Sequence, residues 1–344
     1  MGLLDAVTDR GHEEVVIVQD AALGLLGVIA THSTQRGPAL AATRLRPTAS
    51  PEAALQEALR LSCAMTFEAA VAGLPRGGAA AVFVGRAAAE KSRPFLAAYA
   101  RALDRLDGRA QAVADIGFEA RDLTVLARMT RHVLCRRGPG SDAAELTALG
   151  VLECIRAAAE SLESPMDALH VAVQGVGQVG YRLARHLAAE GTRLTVADLD
   201  AGRAERARDE LGAAIVAPED LASVEADVFS PNAESASLDE RTLERLRCRA
   251  VVGAARDVLA DAGQADTLHA RGVLYAPDGL AAGGAIAGTL GDEDEMAVQE
   301  RVADVGNRLR AVWARARRDG VSPLKAAEQM YAVPLDTRTG GPAA

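Results

Sequence analysis

Lysine is almost absent from this chain of 344 residues, since only Lys91 and Lys325 occur and the other cationic side chains are arginines. Arginine stays protonated at any working pH, so it can hold an anion but is a poor proton shuttle. A mechanism that needs a lysine as its base therefore has only two candidates here.

Cysteines and the common catalytic motifs are also sparse. The four cysteines (Cys63, Cys135, Cys154 and Cys248) show no CxxC spacing, which argues against a disulfide framework and favours a reduced, cytoplasmic setting. None of the six histidines stands at HxxxH or HExxH spacing, so we expect no metal site. No GxSxG sequence occurs, and no Ser-His-Asp set can be argued from spacing.

An excess of positive charge is missing as well. The chain has 47 acidic and 38 basic residues and a formal net charge of −9, which argues against nucleic acid as a partner because phosphate binding needs clustered positive charge. No apolar run approaches the roughly 18 residues of a membrane span, and no secretory signal segment is visible. At about 150 residues per domain, the length predicts two soluble domains.

Strand and helix patterns alternate in the first part of the chain. Strands are predicted at Val15–Asp20, Leu26–His32, Ala79–Gly85 and Ala112–Ile116, and helices after Ser50-Pro51, over Pro94–Leu106 and over Asp122–Leu134. The run Gly138–Asp142 is rich in turn formers and has no apolar periodicity. We therefore place a domain boundary there and predict a first domain over residues 1–140.

The second part of the chain alternates more strictly. A predicted helix over Ala143–Ser161 is followed by alternating strands and helices at Leu169–Gln174, Val179–Glu190, Arg193–Asp198 and Arg203–Leu211, and then by strands at Ala214–Val216, Asp227–Phe229, Ala250–Val252 and Val273–Ala276. Such βαβ units predict an α/β fold with a parallel sheet. We expect a second domain over residues 141–290 and a helical segment over 291–344, with its long helix at Glu293–Asp319, that returns toward the first domain.

A glycine-rich run opens one of these helices. Gly175-Val176-Gly177-Gln178-Val179-Gly180 has the form GxGxxG and directly follows a predicted apolar strand, which is the context that a dinucleotide site requires. The first glycine permits a tight turn, the second lets a pyrophosphate approach the backbone, and the third allows close packing of helix on strand. The alternative is a domain that keeps its glycines for packing after losing the ligand.

An acidic residue stands where the adenosine ribose of a dinucleotide would lie. Asp198 closes the next predicted strand, and a carboxylate at that place binds ribose hydroxyls and repels a 2′-phosphate. We therefore expect NAD as the cofactor rather than NADP, although Arg203 close by keeps NADP open.

Further motifs follow in one order along nearly the whole chain. They are Gly37–Leu40 with Thr43-Arg44, Ala58–Leu61 with Met65-Thr66, Gly77-Gly78, Ala114–Gly117, Val173–Gly180, Asp227–Pro231 and Tyr275–Asp278. In order and spacing they resemble the Glu/Leu/Phe/Val (amino-acid) dehydrogenase family, most closely its leucine/valine type. The resemblance implies an N-terminal α/β domain for substrate binding and oligomerisation, a C-terminal Rossmann domain for NAD, and a deep cleft between them.

The same resemblance places the reaction's central residues. Members of this family use NAD to deaminate an α-amino acid oxidatively, with two lysines and an aspartate at the reacting centre. In this chain Asp115 matches the aspartate, whereas Cys63 stands at the carboxylate-binding lysine and Ala80 at the catalytic lysine. Both family lysines are therefore absent, while the dinucleotide motif and Asp115 are kept.

The candidate residues also have plain structural interpretations. Asp115 could serve as acid/base group or cap a turn, and Arg76 could hold a substrate anion or lie on the solvated surface. Cys63 could be a nucleophile, but a buried cysteine more often fills apolar space. The resemblance adds Leu40 as a substrate contact.

Two more candidates lie in the second domain. Thr147 matches a family threonine near the nicotinamide amide, although it could equally be a helix-surface residue. Arg256-Asp257 replaces a pair of asparagines near nicotinamide and substrate, so Arg256 is a candidate substrate contact. Ala282 stands where the family has an asparagine before its glycines.

Three functional hypotheses follow. The leading one is an NAD-dependent oxidoreductase with an altered substrate, an amine, imine or carbonyl compound rather than a standard α-amino acid. The second is a catalytically silent NAD-binding protein that serves as partner subunit or sensor, and the weakest is an ordinary branched-chain amino-acid dehydrogenase. By resemblance we expect a homo-oligomer, dimer or larger.

Overall fold

The computed structural model of the chain describes residues 3–134, 142–233, 238–256, 258–281, 283–287 and 295–331. These residues form two compact units, one made of residues 3–134 and the other of the remainder. Cys135, the predicted boundary at 138–141, Asp257 and Ala282 lie outside the described residues.

The first unit has a mixed sheet with helices on its faces. Its strands are β1 (Glu14–Asp20), β2 (Leu25–Ser33), β3 (Ala39–Leu45), β4 (Gly77–Val84) and β5 (Ala110–Ala114), and its helices are α1 (Leu3–Asp9), α2 (Pro51–Val71), α3 (Arg86–Glu90), α4 (Arg93–Arg105) and α5 (Ala120–Leu126). The strand order is β1-β2-β4-β3-β5; β2 pairs antiparallel with β1 and β4, and β3 pairs parallel with β4 and β5.

Helix α2 begins where the sequence predicts it. The Ser50 hydroxyl accepts a hydrogen bond from the Ala53 N–H at 3.1 Å, and Pro51 occupies the first helical position. Ala58 and Leu59 of this helix pack on Val82 and Val84 of β4 in one apolar cluster. The prediction of a capped helix packed by its apolar side is confirmed.

The opposite face of β4 builds the larger core. Phe83 lies with its ring centroid 4.7 Å from that of Tyr99 and 5.2 Å from that of Phe95, both on α4 and both in edge-to-face geometry. The Tyr99 hydroxyl is satisfied by the Thr43 hydroxyl at 2.8 Å. The sheet is therefore covered on both faces.

Strand β3 was not predicted as a strand. Ala39–Leu45 is buried on both faces of the sheet, so it shows no alternation of polar and apolar residues, and its run of alanines has little strand propensity. Its position between two parallel neighbours imposes the extended conformation.

The predicted helix over Asp122–Leu134 is wrong in length. Helix α5 ends at Leu126, and the chain then turns so that Val133 forms a parallel bridge with Ala112 of β5. The Ala112 N–H donates to the His132 carbonyl at 3.0 Å and the Leu134 N–H to the Ala112 carbonyl at 2.9 Å. Hydrogen bonding to the open edge of β5 replaces the last helical turns.

The second unit holds a parallel sheet of six strands. The strands are β6 (His170–Gln174), β7 (Arg193–Ala197), β8 (Ala214–Ile215), β9 (Val228–Pro231), β10 (Ala250–Val251) and β11 (Leu274–Tyr275). The helices are α6 (Ala143–Ser161), α7 (Gln178–Ala189), α8 (Ala201–Leu211), α9 (Glu240–Arg245), α10 (Gly263–Ala270), α11 (Gly283–Ala287), α12 (Glu295–Asp319) and α13 (Pro323–Tyr331), with short 3-10 turns at Met166–Ala168 and Pro218–Ser223.

The strand order β11-β10-β9-β6-β7-β8 places the first strand of this unit at the centre, with the chain progressing to one side and then to the other. This is the doubly wound order of dinucleotide-binding domains, in which ligands bind beyond the carboxyl end of the central strand. The predicted α/β fold with a parallel Rossmann-type sheet is confirmed.

The helices after residue 294 pack within the second unit. Arg310 of α12 donates two hydrogen bonds of 2.7 Å to the Glu160 carboxylate of α6, and the Trp313 indole N–H donates to the Tyr275 carbonyl at 2.8 Å. The predicted return of this segment toward the first domain stays a prediction. No described helix is long and apolar enough to cross a membrane.

Gly78 lets helix α2 approach the sheet closely. A methyl group at this position would lie 2.1 Å from the Thr66 nitrogen and 2.6 Å from the Ser62 carbonyl oxygen. We therefore expect Gly78→Ala to lower the free energy of unfolding by about 1–3 kcal/mol, since main-chain atoms of α2 must move. Urea titration measures this, with Gly283→Ala as control because, beyond its chain neighbours and its own helix, no atom of the described residues lies within 4 Å of its added methyl. Equal midpoints for the two variants would contradict this account of the packing.

Candidate functional site

The glycine-rich turn links the central strand β6 to helix α7. Gly175 follows β6 with φ of +83°, and its N–H donates to the Ala197 carbonyl at the end of β7 at 2.8 Å. Gly177 is the residue that precedes the first turn of α7. Main-chain N–H groups at the start of a helix favour a bound anion, so the turn has the form of a phosphate site.

The three glycines of the motif differ in backbone conformation and in how closely other atoms pack against them. A methyl group on Gly180 would lie 1.9 Å from the Gly175 carbonyl oxygen, and Gly175 itself has a backbone conformation that side chains disfavour. Gly177 has φ of −74° and ψ of −149°, and among the described residues beyond its chain neighbours the one atom within 4 Å of an added methyl is Arg203 Nη1, at 3.6 Å. Backbone conformation and packing thus require the first and third glycines, whereas no described main-chain atom crowds the second.

Asp198 fastens the turn to the end of β7. Its Oδ2 accepts a hydrogen bond from the Val176 N–H at 2.8 Å, and its Oδ1 accepts one from the Asp200 N–H at 2.9 Å. Asp200 in turn caps helix α8 by accepting from the Gly202 N–H at 3.0 Å. The predicted ribose-binding carboxylate is therefore beside the glycine turn.

A cavity of about 200 Å³ opens at this turn. It is lined by Val176, Gly177, Gln178, Tyr181, Arg182, Arg203 and Arg206. The three arginines and the amino end of α7 make it favourable for a negatively charged ligand. Among the six positions of the motif, Val176, Gly177 and Gln178 face the cavity, while Gly180 packs against the turn.

Several of these residues were missed by the sequence reasoning. Tyr181 and Arg182 come four residues after Gly177 and Gln178, and Arg206 on α8 comes three residues after Arg203, a helical spacing that could have indicated a common cavity. Leu199 is 92% exposed although it is a large apolar residue, and it stands between the two aspartates that follow β7. An apolar residue between two acids after a strand is the signal that could have singled it out.

Asn232 organises the carboxyl ends of three strands. Its N–H donates to the Gln174 carbonyl at 2.7 Å, its side-chain amide donates to the Ser230 carbonyl at 2.9 Å, and its Oδ1 accepts from the Ala254 N–H at 3.1 Å. The half-buried Arg256 follows two residues after Ala254. The family motif Asp227–Pro231 ends one residue before Asn232, which directly follows β9.

Thr147 lies on the second turn of α6 and is nearly buried. Its hydroxyl donates to the Ala143 carbonyl at 2.7 Å, one turn earlier. This bond leaves the oxygen lone pairs able to accept a further hydrogen bond. The proposed contact of Thr147 with a nicotinamide amide stays a prediction.

In the first unit, Asp115 belongs to a nearly buried ion network. Its Oδ2 accepts from Arg44 Nε at 3.1 Å and its Oδ1 from the Ile116 N–H at 2.8 Å. Arg44 also donates to Glu57 at 2.8 Å, and Glu57 pairs with Arg46 at 3.1 Å. Arg44 stands in a motif already noted, whereas nothing in its own sequence context singled out Glu57.

Leu40 and Arg76 come together at the other end of β5. Leu40 pairs in register with Gly78 and Gln111, and Arg76 donates to the Gln111 side chain at 2.7 Å. Gln111 precedes Asp115 by four residues of extended chain, about 13 Å. The structure therefore groups Leu40 with Arg76 and places Asp115 apart from them.

The two positions that the resemblance assigns to lysines are buried. Ala80 is wholly buried in β4, where it pairs with Ala30 and Ala42, and Cys63 on α2 is 1% exposed. Burial raises the pKa of the Cys63 thiol to about 12, so it stays protonated and unreactive at neutral pH. Its surroundings favour the apolar filler over the nucleophile.

Glu68 is a buried carboxylate that the sequence reasoning did not single out. It lies on α2, five residues after Cys63, and is wholly buried among apolar neighbours in sequence. A lone acidic residue within an apolar helical run is the signal that could have marked it, because a buried carboxylate must be partnered.

Two histidines lie in contact next to Cys63. His12 Nε2 is 2.8 Å from the Ser62 hydroxyl, His32 Nδ1 is 2.8 Å from the Thr66 hydroxyl, and the ring centroids are 5.2 Å apart. Burial, and then the neighbouring His32, lower the pKa of His12 to about 4, and burial also lowers the pKa of His32. Both rings are neutral in the folded chain at neutral pH.

The histidine pair makes stability depend on pH. The pKa values of the two histidines in the folded chain lie below the unfolded value of about 6.5, so the unfolded chain takes up protons first as the pH falls. The contribution of the pair to the free energy of unfolding is therefore fully present above pH 6.5 and is lost as the pH drops toward 4. We expect His12→Asn to reduce the loss of unfolding free energy between pH 7 and pH 5, measured by urea titration at both values. Burial also lowers the pKa of His170, but this residue is present in both the parent and the His12→Asn variant, so its effect does not distinguish them. An unchanged loss in the variant would contradict this assignment.

Several known proteins are similar to this chain over most of its length. Residues 12–132 match the family model for the Glu/Leu/Phe/Val dehydrogenase dimerisation domain. Valine dehydrogenase from Streptomyces albus is 38% identical over 331 residues, which are 93% of this chain and 91% of that protein. Leucine dehydrogenase from Thermoactinomyces intermedius is 34% identical over 96% of this chain and 92% of its own length.

The chain belongs to the Glu/Leu/Phe/Val dehydrogenase family. The crystal structure of L-tryptophan dehydrogenase from Nostoc punctiforme is also similar, with a TM-score of 0.82 and 33% identity over 97% of this chain and 98% of that one. The resemblance seen in the motifs is confirmed, and the chain is a member of an oxidoreductase family. Among the described residues, no group of three or more His, Cys, Asp or Glu side chains could hold a metal ion.

Proposed function

We propose that this family member is an NAD-dependent oxidoreductase whose substrate is an amine, imine or carbonyl compound rather than a standard α-amino acid. The observation that carries the cofactor assignment is Gly177, a glycine that the fold does not require, beside a cavity lined by arginines. A missing side chain with no packing purpose leaves the main chain accessible to a ligand.

The residues of the turn fit a dinucleotide. The amino end of α7 with Val176, Gly177 and Gln178 would hold the pyrophosphate, and Asp198 would hold the adenosine ribose. When bound, NAD accepts a hydride from the substrate carbon. The Asp198 carboxylate supports NAD over NADP because it would face a 2′-phosphate with like charge.

Two neighbouring glycines allow a matched test of this assignment. Gly177→Ala should leave the unfolding free energy within about 0.5 kcal/mol of the parent but weaken NADH binding tenfold or more, because its methyl lies at the ligand surface. Gly180→Ala should instead destabilise the fold by about 1–3 kcal/mol. Calorimetric titration with NADH and urea unfolding measure the two effects. Unchanged NADH affinity in Gly177→Ala would count against the cofactor site.

The substrate assignment depends on Cys63 and Ala80. Both side chains are uncharged and buried, so neither position supplies a cation to a substrate carboxylate. Burying a carboxylate without a partner costs about 3–5 kcal/mol, which is enough to exclude an ordinary α-amino acid. The relatives are named leucine, valine and tryptophan dehydrogenases, which supports oxidation at a carbon–nitrogen bond as the reaction.

Asp115 is the remaining acid/base group in this proposal. Its Oδ2 accepts from Arg44 and its Oδ1 from the Ile116 N–H, and a carboxylate oxygen has lone pairs for more than one hydrogen bond. The Arg44 guanidinium orients the carboxylate. The carboxylate would accept a proton from the nitrogen of an amine whose carbon loses a hydride to become an imine, and it would return that proton when an imine is the substrate and is reduced. Leu40, Arg76 and Arg256 are the proposed substrate contacts, and Leu40 and Arg76 lie about 13 Å of extended chain from Asp115, so they would contact a part of the substrate remote from the reacting nitrogen.

Replacing Asp115 separates catalysis from cofactor binding. Asp115→Asn should lower kcat on an active amine about 10²–10⁴-fold while leaving the Kd for NADH unchanged. Glu57→Gln is the matched control, since it perturbs the same Arg44 network without removing the proposed proton acceptor. Stopped-flow NADH formation and calorimetry provide the two readouts. Equal kcat values in parent and Asp115→Asn would refute the role.

The ion pair of Asp115 also favours a second candidate function. With its carboxylate held by Arg44 and by main chain, the aspartate could be purely structural, and the chain a catalytically silent NAD-binding partner subunit or sensor. NADH binding without turnover of any amine, imine or carbonyl compound would support that function. Measurable oxidation of L-valine would instead revive the ordinary branched-chain dehydrogenase.

We also propose that the chain is a cytoplasmic homo-oligomer. The matched family model is described as a dimerisation domain, and a glutamate dehydrogenase from Thermus thermophilus of similar fold (24% identity, TM-score 0.71) is described as hetero-hexameric. Strand β1 is an edge of its sheet and carries Ile17, whose side chain is 62% exposed. An exposed apolar residue on an edge strand suits contact with a second copy.

A further inference from the structure

We propose that Arg203 binds the pyrophosphate of the dinucleotide and does not read a 2′-phosphate on its adenosine ribose. This inference rests on the proposed NAD site. In the sequence, Arg203 is the residue that leaves NADP possible as the cofactor. Its position in the structure favours a different role.

The Arg203 guanidinium lies beside the second glycine of the turn. Its Nη1 would be 3.6 Å from a methyl group on Gly177, and among the described residues beyond the chain neighbours of Gly177 no other atom comes within 4 Å of that point. The second glycine is the place where a pyrophosphate approaches the main chain. A guanidinium there can donate two parallel hydrogen bonds to phosphate oxygens.

The other two arginines of the cavity are held more firmly by the protein. Arg182 donates to the Gln178 carbonyl and side chain at 2.7 Å and to Asp142 at 2.8 Å. Arg206 lies 4.1 Å over the Tyr181 ring centroid and donates to Glu210 at 2.9 Å. These contacts fix the walls of the cavity.

Arg203 has a weaker tie to its surroundings. Its Nε is 3.4 Å from an Asp200 oxygen, and both side chains are more than half exposed, so this ion pair contributes little to stability. The side chain can therefore turn to a ligand at low cost. Of the three arginines, it is the one best suited to a bound phosphate.

The acidic residues after β7 argue against a 2′-phosphate at this place. Asp198 and Asp200 both follow β7, where the proposed site would hold the adenosine ribose, and a 2′-phosphate there would meet two carboxylates for one arginine. At Gly177 the same arginine acts together with the amino end of α7, where both favour negative charge.

The test compares two arginines of the same helix. Arg203→Gln is the variant and Arg208→Gln the control, because Arg208 is an exposed residue of α8 that pairs with Asp209 and does not line the cavity. Calorimetric titration of the full chain with NADH and with NADPH gives four dissociation constants beside those of the parent. Urea unfolding checks that both variants fold.

We expect Arg203→Gln to raise the Kd for NADH and the Kd for NADPH by the same factor, about tenfold or more, with Arg208→Gln unchanged within twofold. A tenfold larger effect on NADPH than on NADH would place Arg203 at the 2′-phosphate and overturn the inference. Unchanged affinity for both would overturn it as well. A parent chain that binds neither dinucleotide would instead overturn the proposed function on which it rests.

Discussion

Close contact between main chains, made at glycines, is the constraint on which both units depend. In the second unit the Gly180 position packs against the Gly175 carbonyl, and in the first the Gly78 position packs against the Thr66 nitrogen of α2. Each contact fixes the distance between a helix and the sheet beneath it. Gly177 is the exception, because no described main-chain atom packs against the place where its side chain would lie. That difference separates the glycines kept for the fold from the one available to a ligand.

The proposed cofactor and the proposed substrate rest on different kinds of observation. At the dinucleotide turn, Gly177 and three arginines line one cavity, and Asp198 accepts a hydrogen bond from Val176 of the same lining, so charge and shape agree on an anionic ligand. In the first unit, Cys63 and Ala80 are uncharged and buried, and the Asp115 carboxylate is paired with Arg44, which also pairs with Glu57. Family membership supplies the reaction type, while the change of substrate follows from the uncharged positions.

Much of the architecture was predictable from sequence, because apolar periodicity and caps are local signals. Ser50-Pro51 marked α2, and the strand–glycine–helix pattern marked the doubly wound sheet. Strand β3 and the end of α5 were not, since pairing with distant segments decides their conformation. In the candidate site, the motif located Gly175–Gly180 and Asp198. The place of Arg203 beside Gly177 and the pairing of Arg44 with Asp115 depend on tertiary packing that no spacing reveals, whereas the buried Glu68 could have been noticed as a lone acidic residue in an apolar helical run.

The most direct test of the central claim compares two substrates that differ only in a carboxylate. Initial rates of NADH formation from NAD would be measured with L-valine and with isobutylamine, its decarboxylated counterpart. The account predicts a kcat/KM for the amine at least about tenfold above that for the amino acid, because neither Cys63 nor Ala80 offers a cation to the carboxylate. A higher kcat/KM for L-valine would contradict it and show that the chain binds the carboxylate by other residues.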